Sequence, residues 1–209
     1  PRWMNALGLE VKKILKGQGK VRYVVSRDKV LSSVVVQKNH LLPPTGYDFV
    51  FMPQVNKIAV GITLSVQPFA EFSNRDFGRP ARDSYVGMLP PKLARMMVNI
   101  SLSGDSLLDP FCGSGTILQE AALLRVKNMT GSDSSVGGST RTKENIKWLR
   151  TKNPNLDFSY NIYHSPLESL SDFVKEKFSS IVCEPFLGRA LSGRESLKEV
   201  ADMINELTF

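Results

Sequence analysis

The chain has little of what a disulfide framework or a metal site would need. It contains 2 cysteines and 2 histidines among 209 residues, too few for a disulfide network or for a zinc site built from these side chains. No apolar run approaches the length of a membrane span, and no signal-like segment opens the chain. We therefore expect a cytoplasmic protein without a metal, working in a reducing compartment and not at a membrane.

What is present is the composition of an ordinary globular protein, with 42% hydrophobic and 22% charged residues. A chain of this length can hold one full domain and a small extra module around a hydrophobic core. We find no internal repeat and no low-complexity tract.

The net charge of +7 is concentrated near the start of the chain. Residues 1–30 carry eight basic and two acidic side chains, and a second basic cluster lies within residues 75–95. Such patches attract a phosphate backbone, although the same charges also suit an ordinary solvated face. The basic residues are Arg2, Lys12, Lys13, Lys16, Lys20, Arg22, Arg27 and Lys29 in the first stretch, and Arg75, Arg79, Arg82, Lys92 and Arg95 in the second.

The first third of the chain has the pattern of short strands after one helix. Apolar spacing predicts the helix over Asn5–Lys16, with Gly17 as its stop. Residues 73–91, rich in Arg, Gly, Pro and Asp, are interpreted as a linker or an ordered loop. The predicted strands are Val21–Val25, Leu31–Gln37, Phe49–Met52 and Lys57–Gln67.

From Pro90 onward, helices and strands alternate, which predicts a parallel, doubly wound α/β sheet. The predicted strands are Ser106–Asp109, Asn128–Ser132, Phe158–Tyr163 and Ser180–Cys183. The predicted helices are one starting at Pro90 and those over Thr116–Val126, Thr140–Arg150, Pro166–Lys177 and Arg194–Leu207.

The most informative segment is the string LLDPFCGSGT, from Leu107 to Thr116. An apolar strand ends in Asp109, and a glycine-rich turn then leads directly into a helix, whose free N–H groups a ligand can reach. The turn lacks the lysine of a phosphate-binding P-loop, and Leu118 occupies the third glycine position of a dinucleotide-binding fingerprint. An acid before the glycines suits a cationic, amine-bearing ligand better than a pyrophosphate.

The string from Asp109 to Thr116 resembles motif I of S-adenosylmethionine-dependent methyltransferases, in the form used by RNA guanine-N2 and related amino-group methyltransferases. Arg79–Asp83 and Gly87–Ala94 resemble the segment that precedes motif I in THUMP-associated tRNA methyltransferases, whose helix packs beside the cofactor pocket. The resemblance implies a Rossmann-like domain that binds S-adenosylmethionine and methylates an exocyclic base amine of RNA, with guanine N2 in tRNA as the first expectation. The cofactor-binding residues expected are Asp109, Pro110, Phe111, Gly113, Ser114, Gly115, Asp133 and Ser165.

Two of those residues follow later strands. Asp133 ends the second strand about two dozen residues after Asp109, a spacing at which an acid can accept hydrogen bonds from both ribose hydroxyls of a nucleoside. A helix N-cap or turn role is the alternative for Asp133. The third strand ends at His164-Ser165, where the family often has an acid that contacts the adenine amino group; Ser165 is a candidate, and His164 is interpreted as a surface or packing residue.

The expected catalytic motif departs from the family pattern. Amino-group methyltransferases place Asp/Asn-Pro-Pro-Tyr/Phe after the fourth strand, where acceptors orient the amine and the aromatic ring stacks on an unpaired or flipped base. Here Glu184 keeps the acceptor on a longer arm, and Pro185 matches. Phe186 stands where the second proline belongs, and Leu187 replaces the aromatic residue.

Glu184, Pro185 and Phe186 are therefore the predicted catalytic residues. Two alternatives remain open, a DNA adenine-N6 or cytosine-N4 methyltransferase and a non-catalytic module that binds the cofactor or RNA. Full domains of this class carry seven strands, and four parallel ones are predicted here in a chain that begins with Pro. We expect a basic, β-rich segment over residues 1–74, as a THUMP remnant or linker, and a C-terminally truncated methyltransferase domain over residues 75–209.

Overall fold

The computed structural model describes residues 2–25, 28, 30–83, 87–186 and 196–206. The chain divides into two compact units, Pro1–Glu71 and Phe72–Phe209. Within the described part of the chain, no helix has the length and apolar character that crossing a membrane requires.

The first unit combines two helices with a β-hairpin. Trp3 packs edge-on against Phe51, with the ring centroids 5.8 Å apart. Many apolar side chains of this unit are exposed, and Val36 is the one fully buried side chain among its described residues. The elements are α1 (Arg2–Leu15), α2 (Ser33–Lys38) and the antiparallel strands β1 (Phe49–Pro53) and β2 (Ile58–Ile62).

Two strands predicted in this unit are wrong. Ser33–Lys38 is a helix, because Ser32 caps it by accepting a hydrogen bond from the Val35 N–H at 3.3 Å and because the helix buries Val36. The cap and this burial outweigh the β preference of three successive valines. Residues 21–25 form no strand either. The first unit is therefore a mixture of helix and strand and not a β-rich segment.

The second unit is built on a parallel four-stranded sheet with the order β5-β4-β3-β6. This architecture confirms the predicted Rossmann-like α/β fold. Its helices are α3 (Phe69–Phe77), α4 (Pro91–Ser101), α5 (Thr116–Leu123), α6 (Val136–Lys152), α7 (Leu167–Phe173) and α8 (Leu197–Glu206), and its strands are β3 (Ser106–Asp109), β4 (Asn128–Asp133), β5 (Ser159–His164) and β6 (Ser180–Ile181).

The core of this unit joins the sheet to the helices beside it. Large side chains from β3, β4, α4, α5 and α6 are almost completely buried in one cluster, and each such side chain contributes about 1.5–3 kcal/mol on burial. The cluster includes Val98, Leu107, Leu118, Met129, Ile146 and Leu149.

A buried ion pair ties α3 to α5. The Nε of Arg75 lies 2.5 Å from Oε1 of Glu120, whose side chain is fully buried, and Arg95 reaches the other carboxylate oxygen at 3.5 Å. Arg79 is also buried and donates to the Thr116 hydroxyl at 2.7 Å. Two of the five basic residues in the second predicted polyanion-binding patch are therefore inside the protein, so that part of the prediction is wrong.

The strand order places a crevice beside the end of β3. The chain moves from β3 to β4 to β5 in one direction and then returns past β3 to form β6 on its other side. The crossover from β5 to β6 therefore runs along the sheet in the opposite direction to the crossovers from β3 to β4 and from β4 to β5. Ligands in open α/β sheets bind at this kind of reversal, outside the carboxyl ends of the strands.

Candidate active site

A cleft of about 550 Å³ opens at the carboxyl ends of β3, β4 and β6. Most of the predicted site residues meet there, although they lie on three separate connections. They are Asp109, Phe111, Gly113 and Ser114 around the glycine turn, Asp133 after β4, and Glu184, Pro185 and Phe186 after β6.

Three predicted residues do not line this cleft. Pro110 is buried, and Gly115 is the N-cap of α5. Ser165 is 1% exposed, and its hydroxyl donates to the Pro166 carbonyl at 3.0 Å. Its own carbonyl accepts a hydrogen bond from the Ser132 hydroxyl at 2.7 Å, so Ser165 is engaged at the ends of β4 and β5.

The glycine turn depends on two residues in the left-handed region. Gly113 has a φ of 52° and Gly115 a φ of 78°, conformations that cost little only for glycine. A Cβ atom on Gly115 would also lie 3.0 Å from Cγ2 of Thr142. The turn is closed by the Gly115 N–H, which donates to the Cys112 carbonyl at 2.6 Å.

Asp109 is a buried carboxyl group at the end of β3. Its pKa is raised to about 8, chiefly by burial and also by the nearby charges of Asp133 and Glu184, against a hydrogen bond from the Phe111 N–H at 3.2 Å that lowers it. A cation placed beside this carboxyl would favour its charged form. The site is therefore suited to an amine-bearing cation, as the sequence predicts.

Asp133 connects the end of β4 to the glycine turn and to α6. Its Oδ2 accepts a hydrogen bond from the Gly113 N–H at 2.9 Å, and its Oδ1 accepts from the N–H and hydroxyl of Ser135 at 2.9 and 2.7 Å. Ser135 is in turn the N-cap of α6 and accepts from the Gly138 N–H. The turn role considered for Asp133 is thus real. A carboxylate offers about four acceptor positions, and these contacts use three of them, so one position remains for a ligand.

The predicted catalytic residues form the opposite side of the cleft. Glu184, Pro185 and Phe186 follow β6 and are exposed, with 61% of Phe186 accessible to solvent. Leu187 lies outside the described residues, as do Arg27 and Lys29 of the first basic stretch.

An ion pair that sequence analysis missed also lines the cleft. Arg141 of α6 lies 2.7 Å from the Asp83 carboxylate, and both side chains contribute to the lining. Among the described lining residues, Arg141 is the one cation beside four acids, so the cleft has an excess of negative charge. The acids are Asp83, Asp109, Asp133 and Glu184. Nowhere in the described ranges do three His, Cys, Asp or Glu side chains gather as they would around a metal ion.

Comparison with known proteins finds a family similarity in the central segment. Residues 79–165 match the UPF0020 family, an RMKL-like methyltransferase domain. A tRNA (guanine(10)-N2)-dimethyltransferase of Methanothermobacter thermautotrophicus is 36% identical over 110 residues, which are 52% of this chain and 30% of the relative. The enzyme of the same name from Methanocaldococcus jannaschii is 30% identical over 159 residues, 69% of this chain and 43% of the relative.

These matches confirm the resemblance predicted from the motifs, and the chain spans less than half the length of either relative. Among solved structures, the N-terminal domain of human METTL16 in complex with SAH aligns with 86% of this chain and 75% of its own length, at 15% identity and a TM-score of 0.37.

Proposed function

From the premise that residues 79–165 belong to an RMKL-like methyltransferase domain, we propose that this protein methylates an exocyclic base amine of RNA, with S-adenosylmethionine as the methyl donor and guanine N2 of tRNA as the target. The observation that carries the proposal is one cleft with two different sides. The glycine turn and Asp133 form one side, and Glu184 with Pro185 forms the other.

The residues of the first side fit S-adenosylmethionine. Asp109 is a buried acid that a ligand ammonium group would complement, and the acidic cleft suits a sulfonium ion. Asp133 has one acceptor position left for a ribose hydroxyl, and the cleft volume is in the range of small-molecule sites. When bound, the cofactor supplies an electrophilic methyl group.

The residues of the second side suit the orientation of an amine. The nitrogen of a base amine is a weak nucleophile because its lone pair is delocalised into the ring. The Glu184 carboxylate and a backbone carbonyl near Pro185 would accept the two amine protons as hydrogen bonds, which directs the lone pair towards the methyl group. This is a positioning effect and not base catalysis. Pro185 restricts the turn that presents the acceptors, and the exposed ring of Phe186 offers a face on which a base can stack.

The names of the two curated relatives support tRNA as the substrate. The basic residues within 1–30 would then contact its phosphates, together with Arg82 and Lys92, which are exposed. We place the activity in the cytoplasm, since Cys112 and Cys183 are both free thiols, which suits a reducing compartment.

The decisive experiment incubates the full chain with isotope-labelled S-adenosylmethionine and either bulk tRNA or DNA, and analyses the nucleosides by mass spectrometry. Labelled N2-methylguanosine from tRNA is the expected product. Labelled N6-methyladenine or N4-methylcytosine from DNA would replace the proposal with the DNA alternative.

A non-catalytic module is the second candidate, because Glu184-Pro185-Phe186 departs from the family motif. Cofactor binding without methylation of any nucleic acid would favour it. Absence of both binding and methylation would contradict the methyltransferase assignment itself.

A further inference from the structure

A buried side chain on α6 is bonded to both the glycine turn and the segment that precedes α4. The Nδ2 of Asn145 donates to the carbonyls of Ala81 and Ser114, each at 2.8 Å, and its Oδ1 accepts from the Ala81 N–H at 3.0 Å. Asn145 is fully buried, and Ala81 and Ser114 are 8% and 7% exposed. Water therefore has little access with which to replace these hydrogen bonds.

The two segments that Asn145 joins form adjoining walls of the cleft. Residues 81–90 contribute Asp83 and Met88, and the glycine turn contributes Gly113 and Ser114. Asn145 itself does not line the cleft, and its hydrogen bonds are to backbone atoms of the two walls. Any effect of this residue on a ligand must therefore act through the positions of the two walls.

Two neighbouring side chains of α6 contact one wall each. Thr142, one turn earlier on α6, donates to the Gly113 carbonyl at 3.0 Å. Arg141, also on α6, holds Asp83 of the other segment. Arg79 of that segment joins the two walls directly, by donating to the Thr116 hydroxyl just after the glycine turn. Asn145 differs from Thr142 and Arg141 because its single planar amide bonds both walls from α6, so a change at this one group acts on both walls at once.

We propose that Asn145 is a positioning residue that sets the separation of the glycine turn from residues 81–83, and thereby the affinity of the cleft for S-adenosylmethionine. This inference rests on the proposed function. The amide matches the groups that face it. Ala81 presents an N–H donor and a carbonyl acceptor, and Ser114 presents a second carbonyl acceptor. Asparagine supplies the matching acceptor and two donors from one rigid group.

The test is the nearly isosteric variant Asn145→Asp in the full chain. The carboxylate keeps the acceptor for the Ala81 N–H but places an oxygen against the carbonyls of Ala81 and Ser114. At pH 8 we expect S-adenosylmethionine to bind about tenfold more weakly than to the wild type, or weaker still. Protonation of the new carboxyl restores one donor, so the ratio of the two dissociation constants should shrink as the pH is lowered.

The matched control is Asn153→Asp at the C-cap of the same helix. The Asn153 side chain donates to the Leu149 carbonyl at 2.9 Å, outside the cleft lining. The variant Asn153→Asp has the same change of atom and charge. Its dissociation constant for S-adenosylmethionine should therefore equal that of the wild type at every pH. An equal loss of affinity in this control would overturn the inference, because charge on α6 alone would then account for the effect.

Hydrogen exchange of the ligand-free protein separates positioning from general loss of stability. In Asn145→Asp, amides in residues 79–83 and 112–116 should exchange faster, while those of β4 and β5 exchange as in the wild type. Faster exchange throughout the unit would overturn the inference in favour of a merely structural role.

Measurements of S-adenosylmethionine binding and of hydrogen exchange together distinguish this inference from the proposed function. If the wild type does not bind S-adenosylmethionine, the proposed function and the affinity claim both fail. If the wild type binds and Asn145→Asp binds equally well, with unchanged exchange in both walls, the proposed function stands and the positioning role of Asn145 is overturned.

Discussion

The carboxylate of Asp133 accepts a hydrogen bond from the backbone N–H of Gly113 at 2.9 Å, so the acid that ends β4 is joined directly to the glycine turn that follows β3. Its other oxygen is bonded to Ser135 at the start of α6. The parts of the proposed cofactor side are thus fixed relative to one another by contacts within the protein. A ligand that binds there meets a site that is already ordered, which reduces the entropy lost on binding.

Replacing Asp133 with alanine should weaken the binding of S-adenosylmethionine by about two orders of magnitude. The variant loses the proposed ribose contact, a charge-assisted hydrogen bond of about 1.5–3 kcal/mol, and also releases the Gly113 N–H. Titration calorimetry measures the change. The control is Asp157→Ala, which removes an exposed carboxylate outside the cleft lining. Equal affinities for the Asp133 variant and the wild type would contradict the assignment.

Asp109 should make the ligand-free protein less stable as the pH rises. Its pKa is about 8 in the folded protein and close to the ordinary value of 3.8 in the unfolded chain. Between these values the folded state holds a proton that the unfolded state lacks, so the free energy of unfolding decreases with increasing pH in this window. Asp109→Asn should remove this dependence and stabilise the protein at pH 8, by at most on the order of 5 kcal/mol.

Denaturant unfolding of both proteins at several pH values between about 4 and 8 tests this prediction. The difference in the free energy of unfolding between Asp109→Asn and the wild type should grow with pH and level off above about pH 8. A constant difference across the range would show that Asp109 is ionised throughout, against the prediction.

Glu184→Ala should abolish methyl transfer while leaving the affinity for S-adenosylmethionine within about twofold of the wild type. The proposed acceptor acts on the amine and lies on the connection after β6, whereas the glycine turn follows β3. Methylation of tRNA and calorimetry with the cofactor, measured on the same preparation, separate the two effects. Retained turnover would remove Glu184 from the mechanism.

Rebuilding the family motif should raise the rate of methyl transfer. The longer arm of Glu184 displaces the acceptor by about one bond length, and a misplacement of about 1 Å can cost a factor of about 100 in rate. The triple change Glu184→Asp, Phe186→Pro and Leu187→Tyr restores the shorter acid and places an aromatic ring where the family has one. An inactive wild type together with an inactive rebuilt variant would favour the non-catalytic module.

The basic first unit should give tRNA binding a strong dependence on salt. The logarithm of the association constant should fall linearly with the logarithm of salt concentration, with a slope set by the number of phosphates contacted. Reversing the charges of Lys12, Lys13 and Lys16 should flatten that slope. Reversal of three exposed lysines of α6 (Lys143, Lys147 and Lys152) is the matched control, and an identical flattening there would contradict a specific role for the first unit.

The α/β unit could be predicted from sequence because local pattern and final structure agree there. The strand predicted over Ser106–Asp109 has these bounds in the structure, and the glycines of the turn adopt the conformations that only glycine favours. The first unit was predicted less well because its elements bury few side chains. The Ser32 cap and the burial of Val36 together were enough to turn a valine-rich strand pattern into a helix.

The distant partners of buried polar residues could not be predicted from local pattern. Arg75 and Arg79 belong to a basic segment, and their burial depends on Glu120 and Thr116, which are 45 and 37 residues away. Asn145 is paired with Ala81 across 64 residues. Thr142, Asn145 and Leu149 do follow the spacing of one helical face, and this is the signal that could have identified Asn145 as an inward-facing residue.

The strand order also determines when each side of the cleft can form during synthesis. The segments that carry the glycine turn and Asp133 pair through β3 and β4, which leave the ribosome within about thirty residues of each other. β6 is made some seventy residues after β3 and joins the sheet at the opposite edge of β3. The strands that carry the proposed cofactor side are therefore synthesised before Glu184, and the strand that precedes the proposed amine-orienting residues is the last of the four to be made.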